Sequence, residues 1–311
     1  MKKLLLSIAA LLCAVTTNLF ATEGALNGKF TVNADGKKVQ FSQGNLQYQA
    51  STQIWRFAEH QWDVIGEANA NIASDYTGWI DLFGWSTVNN PTLATSSQND
   101  YPTTFTDWGT AAISNGGNEG GMWRTLSAAE WDYLLNQRQN AEELKGKATV
   151  NGVKCMILLP DGFVMPAGLS VTNRVYAWDE ESFSTEEWSR MAANGAVVLP
   201  MGGYRTQTEE EPDQNKTIDN LDNGYYWTST PDVEDEGRSH KLSIDATQEF
   251  TAYSSSNSQG YLVRLTIDAE GETAIENTMY ENKNAWKIIR NGRVLILREG
   301  KVYNALGVEM K

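Results

Sequence analysis

The sequence predicts an α+β chain of short strands and long irregular loops, with two short helices and a small β-meander at the C-terminus. Three observations carry the prediction. Brief apolar or alternating runs recur between Gly, Asn and Asp turn residues, as strands do. Only two stretches carry a full helix start signal. A polar interval then separates the body of the chain from a last segment with its own hairpin turns.

The first segment reads as a leader. Lys2 and Lys3 precede an apolar run from Leu4 to Val15, and Leu19-Phe20-Ala21 offers a small residue for cleavage. This is the pattern of a secretory signal peptide over residues 1–21, too short to span a bilayer. A lipid anchor on Cys13 would want a small residue where Leu12 stands. The expected location is secreted or outer cell surface. No later stretch is apolar and long enough for a transmembrane segment.

Charge and cysteine usage exclude several functions. The chain has 25 basic and 39 acidic residues, a net charge of −14. Such a chain has no electrostatic footprint for nucleic acid. Once the leader is removed Cys155 stands alone, so no intramolecular disulfide can form. It lies in the apolar run "VKCMILLP", where a buried inert thiol is expected. His60 and His240 are the only histidines. A multi-histidine zinc site cannot be built from them. No nucleophile elbow, phosphate loop or dinucleotide fingerprint is present.

Residues 22–268 are expected to form the main domain. "GKFTVNADGKKVQFSQGNLQYQ" reads as strands joined by a tight turn at Asp35-Gly36. "NLQYQASTQIWRFA" continues the pattern through a turn at Ala50 to Thr52. From Glu59 to Asn118 there is little periodicity, and Trp62, Trp79, Trp85 and Trp108 are expected to pin that region. The first helix is predicted over 128–138. Ser127 and Glu130 form a capping box, and Leu126 and Trp131 stand where a hydrophobic staple forms. Trp131, Leu134 and Leu135 give an apolar stripe, and Arg138 sits in the last turn, favourable to the helix dipole.

A hairpin turning at Asn151-Gly152 follows. The second helix starts at the capping box of Ser184 and Glu187 and ends at Gly195. Then come "AVVLPMGGYR", "GYYWTST", "SHKLSIDA", "EFTAYSS" and "GYLVRLTI", all short strands. Residues 269–284 read as a linker, and 285–311 as a C-terminal β-meander tail. Its turns at Asn291-Gly292 and Glu299-Gly300 predict that Ile288 pairs with Leu295, Trp286 with Leu297, and Leu297 with Val302. They also place Arg290 opposite Arg293.

The stretch "WRTLSAAEW" resembles the "R-L-P-T-E-A-E-W-E" signature of the formylglycine-generating enzyme and sulfatase-modifying-factor superfamily. "VVLPMGGYR", "GYYWTSTP" and "GYLVRL" resemble its later strands, in the same order. The resemblance implies a C-type-lectin-like fold over the main domain. It does not carry the activity across, because that chemistry needs reactive cysteines near the end of the domain and none follows Cys155. The chain is therefore similar to non-catalytic secreted relatives. The tail resembles those read by the type IX secretion route, which makes secretion machinery an expected partner.

On that fold the expected function is a non-catalytic binding module for a glycan or a surface protein. Tyr204, Arg205, Tyr225, Tyr226 and Trp227 are the candidate ligand-binding residues, although strand alternation turns half of them inward. No motif demands a cofactor. The one candidate is Ca2+ at Asp219, Asn220, Asp222 and Asn223 in "DNLDNG", a stretch whose residues are also ordinary turn formers. The alternatives are a purely structural surface protein and a glycan hydrolase using two carboxylates, for which no acid pair has a supporting motif.

Overall fold

The computed structural model describes residues 22–173, 177–207, 216–247, 249–250, 253–269, 285–290, 293–298, 301–304 and 309–310. The leader expected at 1–21 and most of the expected linker lie outside them. The chain divides into two compact units between Ala269 and Glu270. The architecture is α+β: the described residues form five small sheets and few helices in the first unit, and one sheet in the second. Among the described residues no helix is long and apolar enough to cross a membrane.

The first unit is tied together by a sheet drawn from distant parts of the chain. Its order is Phe30–Thr31, Lys38–Phe41, Leu265–Asp268, Arg124–Thr125. Phe41 pairs with Thr266 and Val39 with Asp268, so the start and the end of the unit are hydrogen-bonded neighbours. Leu265 pairs with Thr125 on the other side. Phe41 and Val39 are fully buried in the core that also takes Leu126, Trp131 and Leu134.

A second sheet runs Ser182–Phe183, Lys145–Val150, Val153–Leu158, Val197–Pro200. Val150 pairs with Val153, so Asn151-Gly152 is the predicted two-residue turn, with φ of 48° and 82°. Positive φ at both positions is what a type I′ hairpin requires, and Asn-Gly supplies it at low cost. The Asp35-Gly36 turn is wider than predicted. Val32 donates to Lys37 O, and the Asn33 side chain accepts from Lys37 N–H, so four residues turn the chain. Cys155 is fully buried, and burial pushes its thiol far above the usual thiol range.

Both predicted capping boxes form. Ser127 Oγ accepts from Glu130 N–H while the Glu130 carboxylate accepts from Ser127 N–H, and Ser184 and Glu187 repeat the pattern. The second helix, Thr185–Ala193, ends in a Schellman motif. Ala196 N–H donates to Met191 O and Gly195 N–H to Ala192 O, with Gly195 at φ 91°. The first helix departs from expectation. Its α-helical part is Ala128–Asp132, and Tyr133–Gln137 continues as a π-helix in which Arg138 N–H reaches back to Tyr133 O. The wider turn lets Arg138 fold inward. The guanidinium is buried, donates to Leu134 O and Leu144 O, and pairs with Asp161 at 3.3 Å. A last-turn cation thus satisfies a terminal helix carbonyl from inside the protein.

The irregular stretch 59–118 is organised by polar side chains as much as by tryptophans. Asn69 Oδ1 accepts from the N–H groups of Asp81 and Leu82, and its Nδ2 donates to Asp81 Oδ1. Asp107 accepts from Gly109 N–H and from both the N–H and the hydroxyl of Thr125. Trp62, Trp85 and Trp108 are buried, whereas Trp79 is half-buried beneath the Arg56 guanidinium, 3.8 Å from the ring centroid.

In the second unit the strands Ala285–Arg290, Arg293–Arg298, Lys301–Asn304 and Glu309–Met310 form one antiparallel sheet. The pairs Ile288 with Leu295, Trp286 with Leu297, Leu297 with Val302 and Arg290 with Arg293 occur as the turns predict. The fourth strand extends the expected three-stranded meander.

Trp131 lies 5.6 Å from Phe41, centroid to centroid, at the joint between the first helix and the closing sheet, and is 1% exposed. Trp131→Ala is expected to destabilise the protein by about 3–5 kcal/mol, measured by chemical denaturation. An unchanged midpoint would show that the helix does not brace the sheet.

Candidate functional site

A pocket of about 400 Å3 opens between the strand Tyr204–Gln207 and the sheet of Gly224–Pro231 and Arg238–Ile244. This volume lies within the range of small-molecule sites, roughly 300–1,000 Å3. Three tyrosines build it. Tyr225 and Tyr261 stack with centroids 5.4 Å apart, and Tyr204 meets Tyr225 edge-on at 5.4 Å. Lys241 places its ammonium 4.8 Å from the Tyr225 centroid and 4.9 Å from that of Tyr261, and donates to Tyr261 Oη at 3.1 Å.

Strand geometry explains the convergence. In the antiparallel pair of Gly224–Pro231 with Arg238–Ile244, Trp227 stands opposite Lys241 and Tyr225 opposite Ser243. Directly opposed residues share a face, so Tyr225, Trp227 and Lys241 project to one side. Tyr226 projects to the other, into the main core, where its hydroxyl donates to Pro200 O. Tyr261 comes from a segment that bridges three elements: Gly260 pairs with Arg205, Tyr261 with Phe83, and Leu262 with Tyr226. Gly260 is needed for this approach, because a Cβ there would stand 2.9 Å from Arg205 Cβ.

The pocket is cationic at its wall. Burial, with Arg238 beside it, pulls the Lys241 ammonium down to about 8. Arg238 is held by Ser254, donating from Nε to its hydroxyl at 3.2 Å and from Nη2 to its carbonyl at 2.7 Å. Burial raises the Tyr261 phenol well above its usual range, against the hydrogen bond with Ser255 that lowers it. Burial also raises Tyr204, with Asp219 and Tyr225 adding to it.

Of the five residues expected to contact ligand, the structure brings two to this pocket, Tyr204 and Tyr225. The other three lie in the interior. Trp227 is 1% exposed, covered by Tyr261 at 4.5 Å, and donates to Phe83 O. Arg205 is buried, with Nη1 donating to Asn69 O, and burial brings its guanidinium down to about 10. Tyr226 is fully buried. Tyr261, Lys241 and Arg238 were absent from the expectation. Alternation along "SHKLSIDA" marks Lys241 as sharing a face with Ser239 and Ser243, but only the long-range pairing sets that face beside the tyrosines.

The residues expected to ligate calcium form the turn after the strand Lys216–Asp219. They engage separate partners: Asp219 accepts from Thr217, Asp222 pairs with Lys154 at 3.0 Å, and Asn223 donates to Tyr225 Oη. Asn220 takes φ 52° and closes the turn through its carbonyl, which accepts from Asn223 N–H. Among the described residues no group of three or more His, Cys, Asp or Glu side chains is placed to hold a metal.

A larger cleft, about 730 Å3, flanks the π-helix and includes Arg138 and Asp161. Three of its charged groups engage one another: Asp161 accepts from Thr31 N–H and hydroxyl and pairs with Arg138 and Lys38. No family model, curated protein or solved structure matches the chain.

The Lys241 ammonium is expected to titrate near pH 8. NMR of the 13C-dimethylated protein, with the resonance assigned by Lys241→Arg, measures it. A midpoint above 10 would place Lys241 in bulk solvent and remove it from the pocket wall.

Proposed function

We propose that the first unit is a non-catalytic binding module of C-type-lectin-like type, secreted or carried at the outer cell surface, with carbohydrate as its ligand. The pocket walled by Tyr204, Tyr225 and Tyr261 is the observation that carries the reading. Aromatic faces pack against the apolar faces of sugar rings, and the hydroxyls and amides around the rim supply directional hydrogen bonds. Among the described residues lining the pocket there is no carboxylate, so hydrolysis by an acid and a base has no pair to use there. The superfamily likeness of "WRTLSAAEW" fits a scaffold role: Arg124, Ser127, Glu130 and Trp131 are all engaged in holding the sheet and helix together. The division of the chain between Ala269 and Glu270 supports a tail that acts as an address for secretion machinery.

Glycan-array binding by the full chain, compared with Tyr204→Ala and Tyr225→Ala, tests the reading. Truncation of a central aromatic is expected to cost about 2 kcal/mol of binding. Equal binding by all three proteins would move the ligand elsewhere. No binding by the unaltered protein would favour a purely structural role.

A further inference from the structure

Resting on the carbohydrate reading, we propose that Lys241 and Arg238 form an anion subsite that selects sugars bearing a carboxylate or a sulfate group. In this acidic chain, Lys37, Lys38, Arg124 and Lys154 each pair with a carboxylate. Lys241 and Arg238 pair with none among the described residues, although both are partly withdrawn from water. A half-buried cation without a counterion is costly, and two side by side are more so. An anionic ligand group removes that cost on binding.

The donors are aimed and unspent. An ammonium has three N–H bonds. One goes to Tyr261 Oη, and among the described residues the other two meet no further acceptor. Ser254 takes Nε and Nη2 of Arg238, which orients the guanidinium and leaves Nη1 for the pocket. Ser255 and Ser256 line the same wall, their hydroxyls held by Tyr261 Oη and Ser258 Oγ. Tyr204 meets Tyr225 and Tyr261 edge-on, away from the cation–π contacts, and is left as a platform for the ring of the sugar.

The field of the whole molecule narrows the ligand further. A net charge of −14 repels polyanions at long range. Two local cations within that field suit a single anionic group on an otherwise neutral sugar. The expected ligand is a terminal uronic acid or a sugar sulfate monoester rather than a densely charged polysaccharide.

The test is an array of glycans ending in glucose, galactose or mannose, each in neutral, uronate and 6-sulfate forms, probed with the full chain. At least one skeleton is expected to bind about tenfold or more tightly in an acidic form than in the neutral one, as for hydrogen bonds to a charged group. The uronate and sulfate arms tell the two anions apart. Lys241→Met keeps the aliphatic stem on the rings and is expected to level the preference between acidic and neutral forms. Equal binding of neutral and acidic forms, or an unchanged preference in Lys241→Met, would overturn the subsite and leave the carbohydrate reading standing. If no glycan binds but inorganic sulfate shifts the Lys241 NMR resonance, and Arg238→Gln abolishes that shift, the subsite stands and the carbohydrate reading falls. Silence in both assays sinks both.

Discussion

The first unit depends on one run of chain, Gly260 to Asp268. Its second half, Leu265–Asp268, is the strand that lies between Lys38–Phe41 and Arg124–Thr125 and so closes the two ends of the unit on each other. Its first half threads between Arg205, Phe83 and Tyr226, and sets Tyr261 as the floor of the pocket. Scaffold and site are therefore fixed by the same nine-residue segment, numbered 260–268. A closure this long in sequence costs entropy only once, since loop-closure cost grows slowly with length. Burial of Phe41, Leu265 and Trp131, together with backbone pairing, offsets it.

Side-chain chemistry locks the closure from outside. Arg124 donates to Asp268 at 2.7 Å and to Glu130 at 2.9 Å, and Lys37 pairs with Asp268 at 3.0 Å. Burial pushes the Glu130 carboxyl up, but Arg124 and the Ser127 N–H outweigh it and hold the group below its usual value. Hydrogen bonds from Arg124 and Lys37 likewise lower Asp268 against its burial. Carboxylates depressed in the folded state contribute stability above their unfolded values and lose it on acidification through the folded ones. The closing sheet is thus an acid-sensitive joint. The buried Asp81 acts in the opposite sense. Burial outweighs its hydrogen bonds and raises it to about 6, so its contribution is lost as the pH rises from about 4 towards 6.

Local features were legible in the sequence and long-range ones were not. Both capping boxes, the Asn151-Gly152 turn and the tail register follow from residues within a few positions of one another, and all form. The π-turn at Tyr133–Gln137 has no local signal. It goes with the inward turn of Arg138 to Asp161 and to the carbonyls of Leu134 and Leu144, the last of which lies beyond the helix. The site was half legible. "GYYW" exposes the aromatic run, but Tyr226 must face the core once Tyr225 faces the pocket, and Trp227 is covered by a ring 34 residues further along the chain, at Tyr261. Lys241 acquires its meaning only through strand pairing, and Tyr261 only through the closing segment. Asn69 and Asp107 organise the loops through side-chain hydrogen bonds to distant backbone, which composition alone does not foretell.

The central claim is that one segment holds both the ends of the unit and the pocket. Native-state hydrogen exchange at increasing denaturant measures it most directly. The amides of Ser42, Tyr261, Leu262 and Thr266 are predicted to exchange only through one shared opening, with the free energy and denaturant slope of global unfolding. If the Tyr261 and Leu262 amides open in a smaller, separate event while Ser42 and Thr266 stay protected, the pocket is independent of the closure and the account is wrong.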